Sequence, residues 1–186
     1  MSLTMEERNI TPSEAYPGDK TTTKAAEPEL LNVEITGDRY TSKEFKDQEW
    51  TNMWRRVWMI AGMADDCAAP GDFFTCDLGH EPLLFVRGKE SINGFYNICQ
   101  HRGAKLVLQE KGSMDSFSCI YHGWKYGLEG ELVEAQDRDD FERDPCEHVR
   151  LADFRTETFA GFVWYCLDDD APGLDDFLGD MKEQLE

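Results

Sequence analysis

An antiparallel all-β architecture with minor helical content follows from three features of the 186-residue chain. Short apolar runs recur between Gly, Pro and Asp turn signals. The connections between these runs are short, which favours hairpins over the dozen or more residues of a parallel crossover. Helical periodicity is confined to two flanking stretches, one before the first strand and one at the C-terminal end.

Residues 1–38 are rich in Thr, Glu, Lys and Pro with few aromatics, and are expected to form a flexible N-terminal arm, since they bury too little surface to offset their ordering entropy. Thr41-Ser42-Lys43-Glu44 offers a capping box, Thr41 reaching forward and Glu44 back. Phe45, Trp50, Met53 and Trp54 then fall near helical spacing, predicting a short amphipathic helix ending near Arg55 or Arg56. The apolar run 57–63 is the first predicted strand, and the Pro70-Gly71 turn leads into a strand over 72–78. Strands over 82–87 and 91–97 flank Gly88-Lys89-Glu90 as a hairpin. A short strand over 115–118 and a hairpin over 125–132 about Glu129-Gly130 follow. Residues 137–148 are charged and aperiodic, hence an exposed loop. Strands over 149–157 and 159–167 close the β region, with Gly161 marking a close backbone approach. Leu174, Phe177, Leu178, Met181 and Leu185 line one face of a terminal helix that needs a surface to pack on. The expected organisation is an arm over 1–38, a β domain over 39–170 and a terminal helix over 171–186.

With 19 basic and 38 acidic residues the net charge is -19, which argues against nucleic acid or an anionic membrane as partner. No apolar run approaches a membrane span, and residues 1–38 lack the apolar core of a signal peptide, so the expected location is the cytoplasm. A chain of this size buries about 70% of its unfolded surface and needs no covalent staples. Cys67, Cys76, Cys146 and Cys166 show no regular spacing and are expected to be small buried or half-buried side chains in a reducing compartment.

The chemistry concentrates between Asn97 and Leu132. Cys99-Gln100-His101-Arg102-Gly103 and Cys119-Ile120-Tyr121-His122-Gly123-Trp124 give Cys-x-His and then Cys-x-x-His. Two thiols and two imidazoles suit either a tetrahedral zinc ion or a 2Fe-2S cluster with two His on one iron. Common zinc frameworks place Cys with Cys and His with His on each arm. Here each arm carries one of each, which favours two loops closing on a cluster from opposite sides. Gly103 and Gly123 let the backbone bend toward the inorganic sulfides. Zinc is the alternative.

Cys-x-His-Arg-Gly-Ala, Cys-x-Tyr-His-Gly-Trp and the following Tyr126-Gly127-Leu128-Glu129-Gly130-Glu131-Leu132 resemble the N-terminal Rieske domain of the alpha subunit of ring-hydroxylating, non-haem iron oxygenases. The resemblance runs from about Tyr40 to about Leu185 and takes in Trp54, Trp58, Pro70-Gly71-Asp72 and Gly161-Phe162-Val163. It implies a Rieske fold with the cluster held by two loops at hairpin tips. Cys99, His101, Cys119 and His122 are the implied metal ligands, and Arg102, Gly103, Tyr121, Gly123 and Trp124 line the cofactor. Respiratory Rieske proteins add a Cys to each loop and join them by a disulfide; Ala104 and Tyr121 stand at those positions here, so no such bridge forms. Trp124 replaces a Ser that donates to the cluster in those proteins, which points toward the lower end of the roughly -150 to +300 mV Rieske range.

The resemblance further implies that electrons arrive from a ferredoxin or a flavin and iron-sulfur reductase and pass to a mononuclear Fe(II) in a C-terminal catalytic domain. It also implies a homotrimer, with or without a beta subunit, in which the outer imidazole faces a neighbour's iron. That iron needs two His and a carboxylate. Only His80 and His148 remain, without ligand spacing, and both are expected to be ordinary structural or surface His. The catalytic domain is therefore expected outside this chain, which holds no catalytic residues of its own. The setting that the resemblance implies is an aromatic-ring-hydroxylating oxygenase with a role in aromatic hydrocarbon catabolism; an oxidative demethylase and a free-standing Rieske ferredoxin are the alternatives. Arg102, Lys105, Lys111 and Lys125 form a local basic group in an acidic chain, expected to dock an acidic electron donor.

Overall fold

The computed structural model describes residues 36–185, so the arm expected over 1–38 falls almost wholly outside the described residues. The chain falls into two compact units, residues 1–41 and 42–186. In the first unit a single helical turn, α1 (Asp38–Thr41), is closed by the Thr41 hydroxyl donating to the Gly37 carbonyl at 3.2 Å. Thr41 is therefore not the cap of the next helix. Ser42 is: its hydroxyl accepts from the Phe45 amide at 3.2 Å at the start of α2 (Lys43–Glu49), which loosens into a π turn over Trp50–Trp54.

Among the described residues ten strands follow: β1 (Met59–Met63), β2 (Asp72–Leu78), β3 (Glu81–Arg87), β4 (Ile92–Tyr96), β5 (Lys111–Ser113), β6 (Phe117–Ser118), β7 (Lys125–Tyr126), β8 (Leu132–Glu134), β9 (Asp153–Phe159) and β10 (Phe162–Cys166). Seven form one antiparallel sheet in the order β1-β10-β9-β4-β3-β2-β5, and β6-β7-β8 form a second. The expected all-β antiparallel class is the observed one.

The interior strand β3 explains how the site gets its floor. Leu83, Leu84, Phe85 and Val86 are all fully buried. Because side chains alternate along a strand, β3 feeds two cores. Leu84 and Val86 join Phe73 and Phe95 beneath the small sheet, where Phe117, Tyr126, Leu132 and both Cys99 and Cys119 complete the cluster of side chains. Leu83 and Phe85 join Phe74, Phe154, Val163 and Tyr165 on the opposite face. An edge-to-face contact of Phe73 with Phe117, centroids 5.5 Å apart, seats the small sheet on the large one.

Three expectations are corrected. The closing strands lie further along the chain, because the turn between them is Ala160-Gly161, with φ of 51° and 79°, rather than a point before Phe159. Positive φ at both central positions is the twist that two-residue hairpins require. Gly161 serves that turn, and a side chain there would meet nothing within 4 Å, so no close approach is involved. Residues before β9 pair elsewhere: the Leu151 amide donates to Gly130 and the Leu132 amide to Val149.

The terminal helix is the third correction. It breaks at Gly179 into α3 (Leu174–Leu178), a 3-10 turn (Gly179–Met181) and α4 (Lys182–Leu185). Leu174 and Leu178 pack on Trp58, Trp164 and Cys166, so part of the expected apolar face is met within the domain, while Phe177 and Met181 stay exposed. No helix among the described residues is long and apolar enough to cross a membrane.

Candidate metal centre

The first cysteine loop leaves β4 and is clasped at its base by Asn97, a fully buried polar residue. The Asn97 side chain donates to the Val107 carbonyl and accepts from the Val107 amide, both at 2.8 Å, imitating a strand pair across the loop's two ends. The second loop is the tip of the β6–β7 hairpin. One of the two expected tips is thus a true hairpin, and the other is a longer excursion closed by the Ile98–Lys105 bridge.

The two loops share one backbone plan. In each, the Cys amide donates to the carbonyl five residues on, Ala104 or Trp124, at 2.8 Å. In each, the Cys carbonyl accepts from the amide four residues on, Gly103 or Gly123, at 3.0 Å. Those glycines have φ of 74° and 65°, a conformation most side chains resist, which is why glycine stands at both. The result holds the Cys99 and Cys119 sulfurs on a buried floor, 1% and 4% exposed as residues.

Above them the His101 and His122 rings meet edge to face with centroids 4.7 Å apart. His101 Nδ1 is buried and has no hydrogen-bond partner. Burial, then the charges of His122 and Arg102, lowers the proton affinity of His101, favouring the neutral ring that can bind a metal. Burial raises the Cys99 thiol. A nearby cation would reverse that preference by stabilising the thiolate.

Of the residues expected to line the cofactor, Trp124 is buried and stacks on His101 at 4.7 Å and 15°. Tyr121 is 70% exposed and tilts toward His122 at 6.3 Å. Arg102 and Gly103 border a cleft of about 560 Å³ together with the cysteines, the histidines, Leu108 and Ile120. Gly123 packs beneath Gln136.

Two residues escaped the sequence reading. Asn97 looked like an ordinary strand end. Tyr126 looked like a hairpin aromatic, yet it is fully buried with its hydroxyl 3.4 Å from Cys99 Sγ and accepting from the Gln100 amide at 3.0 Å. Once Cys99 is a thiolate, the single hydroxyl proton has the sulfur as its acceptor. The Cys99 sulfur therefore has a hydroxyl donor within reach despite the Trp at position 124.

The basic group expected around the cleft is dispersed. Lys125 pairs with Glu134 and Lys111 lies on edge strand β5, both away from the cleft lining, while Arg102 and Lys105 border the cleft and Lys105 pairs with Asp77 at 3.3 Å. Among the described residues no disulfide forms, and Cys67 and Cys166 are buried as expected, with Cys76 and Cys146 half-buried. His148 bonds the Asp144 carbonyl at 3.0 Å.

The donor set fits a two-iron cluster better than one ion. No three His, Cys, Asp or Glu among the described residues converge to hold a single metal. A tetrahedral zinc ion needs four. A 2Fe-2S group of the Rieske type asks instead for one pair of sulfurs and one pair of nitrogens. The buried sulfurs, the facing imidazoles and the orphaned Nδ1 supply those pairs.

A family model described as the Rieske [2Fe-2S] domain matches residues 57–153. The glycine betaine monooxygenase oxygenase subunit of Pseudomonas aeruginosa is 32% identical over 148 residues, covering 79% of this chain and 34% of that protein. The biphenyl 2,3-dioxygenase subunit alpha of Rhodococcus jostii is 35% identical over 153 residues, covering 79% of this chain and 32% of its own. A solved quaternary ammonium Rieske monooxygenase in complex with gamma-butyrobetaine superposes with a TM-score of 0.74 at 29% identity, covering 80% of this chain and 43% of that one. The chain spans about a third of the length of the curated relatives it matches.

Proposed function

We propose that this chain, which belongs to the Rieske [2Fe-2S] domain family, holds one iron of its cluster with Cys99 and Cys119 and the other with His101 and His122, and passes single electrons to a catalytic site outside these residues. The observation that carries the reading is the matched backbone plan of the two loops, which sets two buried sulfurs beneath two facing imidazoles with His101 Nδ1 unpartnered.

When bound, the cluster supplies one-electron redox chemistry. The residues of this chain shape that chemistry. The floor of Leu84, Phe117 and Leu132 excludes water from the sulfurs. Tyr126 donates to Cys99 and favours added negative charge there. Trp124 covers one face of His101. Tyr121, Ile120 and Leu108 give the cleft an exposed apolar rim on which an electron-transfer partner can seat, with Arg102 supplying a positive charge.

The full-length protein is proposed to be a cytoplasmic Rieske-type oxygenase alpha subunit, with mononuclear Fe(II) for dioxygen activation in a C-terminal domain and a homotrimeric assembly. Its donor is a ferredoxin or a reductase. The reach of the match over 79% of the chain, well beyond the cluster loops, favours this over a free-standing carrier.

Iron and labile sulfide analysis with electron paramagnetic resonance before and after dithionite tests the reading. About two irons and two sulfides per chain, with a reduced signal of average g below that of an all-thiolate cluster, is the expected result. Stoichiometric zinc, or iron without labile sulfide in anaerobic material, overturns it.

A further inference from the structure

Metal-bound imidazoles are ordinarily oriented by a hydrogen bond from the ring nitrogen that does not bind the metal. The buried, unpartnered Nδ1 of His101 is the nitrogen that the proposed function gives to the metal, and the contacts of the ring among the described residues are aromatic. What fixes the ring is aromatic contact: His122 at its edge and Trp124 against its face at 4.7 Å and 15°. Trp124 in turn meets Phe141 at 6.0 Å and 61°, on the loop 137–148.

Phe141 is 41% exposed, so its burial contributes little to the core. The loop that carries it is nonetheless tightly tied. Asp137 enters it at φ 54°, a conformation that costs energy for a non-glycine residue. Arg138 binds Asp144 through both Nε and Nη2, the bidentate geometry that fixes direction as well as distance. Asp144 also accepts from the Cys146 amide at 2.9 Å, and Phe141's own amide donates to the Arg138 carbonyl at 3.3 Å. Buried Pro145 and half-buried Cys146 anchor the far end. A self-closed loop with a half-exposed ring resting on Trp124 is a costly way to build a surface and an effective way to hold one ring still.

We propose that Phe141 is a positioning residue: held by the Arg138–Asp144 clamp, it presses Trp124 against His101 and sets the orientation of that imidazole on its iron. The inference rests on the proposed function. Loop 137–148 is then a strap for a ligand, not a plain connection between β8 and β9.

The test uses the full chain carrying its cluster, in four forms: unmodified, Phe141→Ala, Phe141→Tyr and Arg138→Gln. Cluster content, thermal unfolding, the reduced paramagnetic resonance spectrum and the couplings of the two imidazole nitrogens are measured for each. With Phe141→Ala, cluster content is retained, the resonance lines broaden, the coupling of one imidazole spreads, and release of iron to a chelator speeds up about tenfold. Phe141→Tyr restores all three. Arg138→Gln, which leaves every ring in place, is expected to give the same broadening in milder form and guards against a folding defect of the alanine variant. Spectra and release rates of Phe141→Ala and Arg138→Gln that match the unmodified chain overturn this inference alone. Absence of a Rieske signal in the unmodified chain overturns the proposed function, and this inference with it.

Discussion

The Tyr126 hydroxyl spends its acceptor capacity on the Gln100 amide and has Cys99 Sγ as the target of its proton. Burial, and then the Cys99 contact, raises the affinity of that oxygen for its proton, so it stays a donor across the working pH range. A hydrogen bond to a ligand sulfur stabilises the reduced cluster more than the oxidised one, because reduction adds negative charge. Tyr126→Phe is therefore expected to lower the midpoint potential by on the order of 50 mV, about 1 kcal/mol for one electron, with the spectrum otherwise preserved. Potentiometric titration of the two proteins checks it. The four candidate ligands were legible because their spacing is local, two or three residues within each arm. Tyr126 reaches Cys99 across 27 residues, and Asn97 reaches Val107 across 10. Contacts of that kind depend on how two loops lie in space, which residue spacing does not encode.

Two elements carry their own predictions. In the β9–β10 turn Ala160 holds φ 51°, where Asn is better tolerated. Ala160→Asn should stabilise the domain by about 0.5 kcal/mol. That corresponds to a rise in melting temperature of roughly 1–2 °C. In loop 137–148 the hydrogen bond from Arg138, followed by that from the Cys146 amide, holds the Asp144 carboxyl below its ordinary value of 3.8. A depressed native value means its contribution is complete above the ordinary value and is lost as pH falls through the depressed one. The difference in melting temperature between the unmodified chain and Asp144→Asn should be constant from neutral pH down to the ordinary Asp value, and shrink below it. Legibility at this scale followed side-chain signal. Strand β2 coincides with its expected span because Phe73, Phe74 and the Pro70-Gly71 turn frame it. Strand β5 went unseen because Lys111, Gly112 and Ser113 are all exposed and bear no apolar pattern, the strand existing through its pairing with β2. The terminal helix was read as continuous because its apolar spacing runs straight through Gly179, whose φ of 50° and ψ of -131° stop it.

The net charge of the chain is -19, and among the described residues Arg102 is the cation lining the cleft that is in no salt bridge, Lys105 being paired with Asp77. An acidic electron donor would feel repulsion from the molecule as a whole and attraction only within about a Debye length, ~10 Å at 0.1 M salt, of that side chain. Arg102→Glu should slow reduction by an acidic ferredoxin on the order of tenfold at low ionic strength, relative to reduction by dithionite. The gap should close at about 1 M salt. Stopped-flow reduction across a salt series separates this local term from the global one.

The shared backbone plan of the two cysteine loops also bears on biogenesis. Each loop is closed by its own amides and carbonyls and joined to a paired sheet, interactions in which iron takes no part. In small zinc modules the metal supplies the folding free energy, and chelation unfolds them. Here the apoprotein should fold first and receive a preassembled cluster as cargo. Stripping the iron anaerobically is expected to leave the far-ultraviolet circular dichroism unchanged and the refilled protein spectroscopically identical to the original, which would make this scaffold a receptacle for a cluster delivery system and not a template that must capture iron during synthesis.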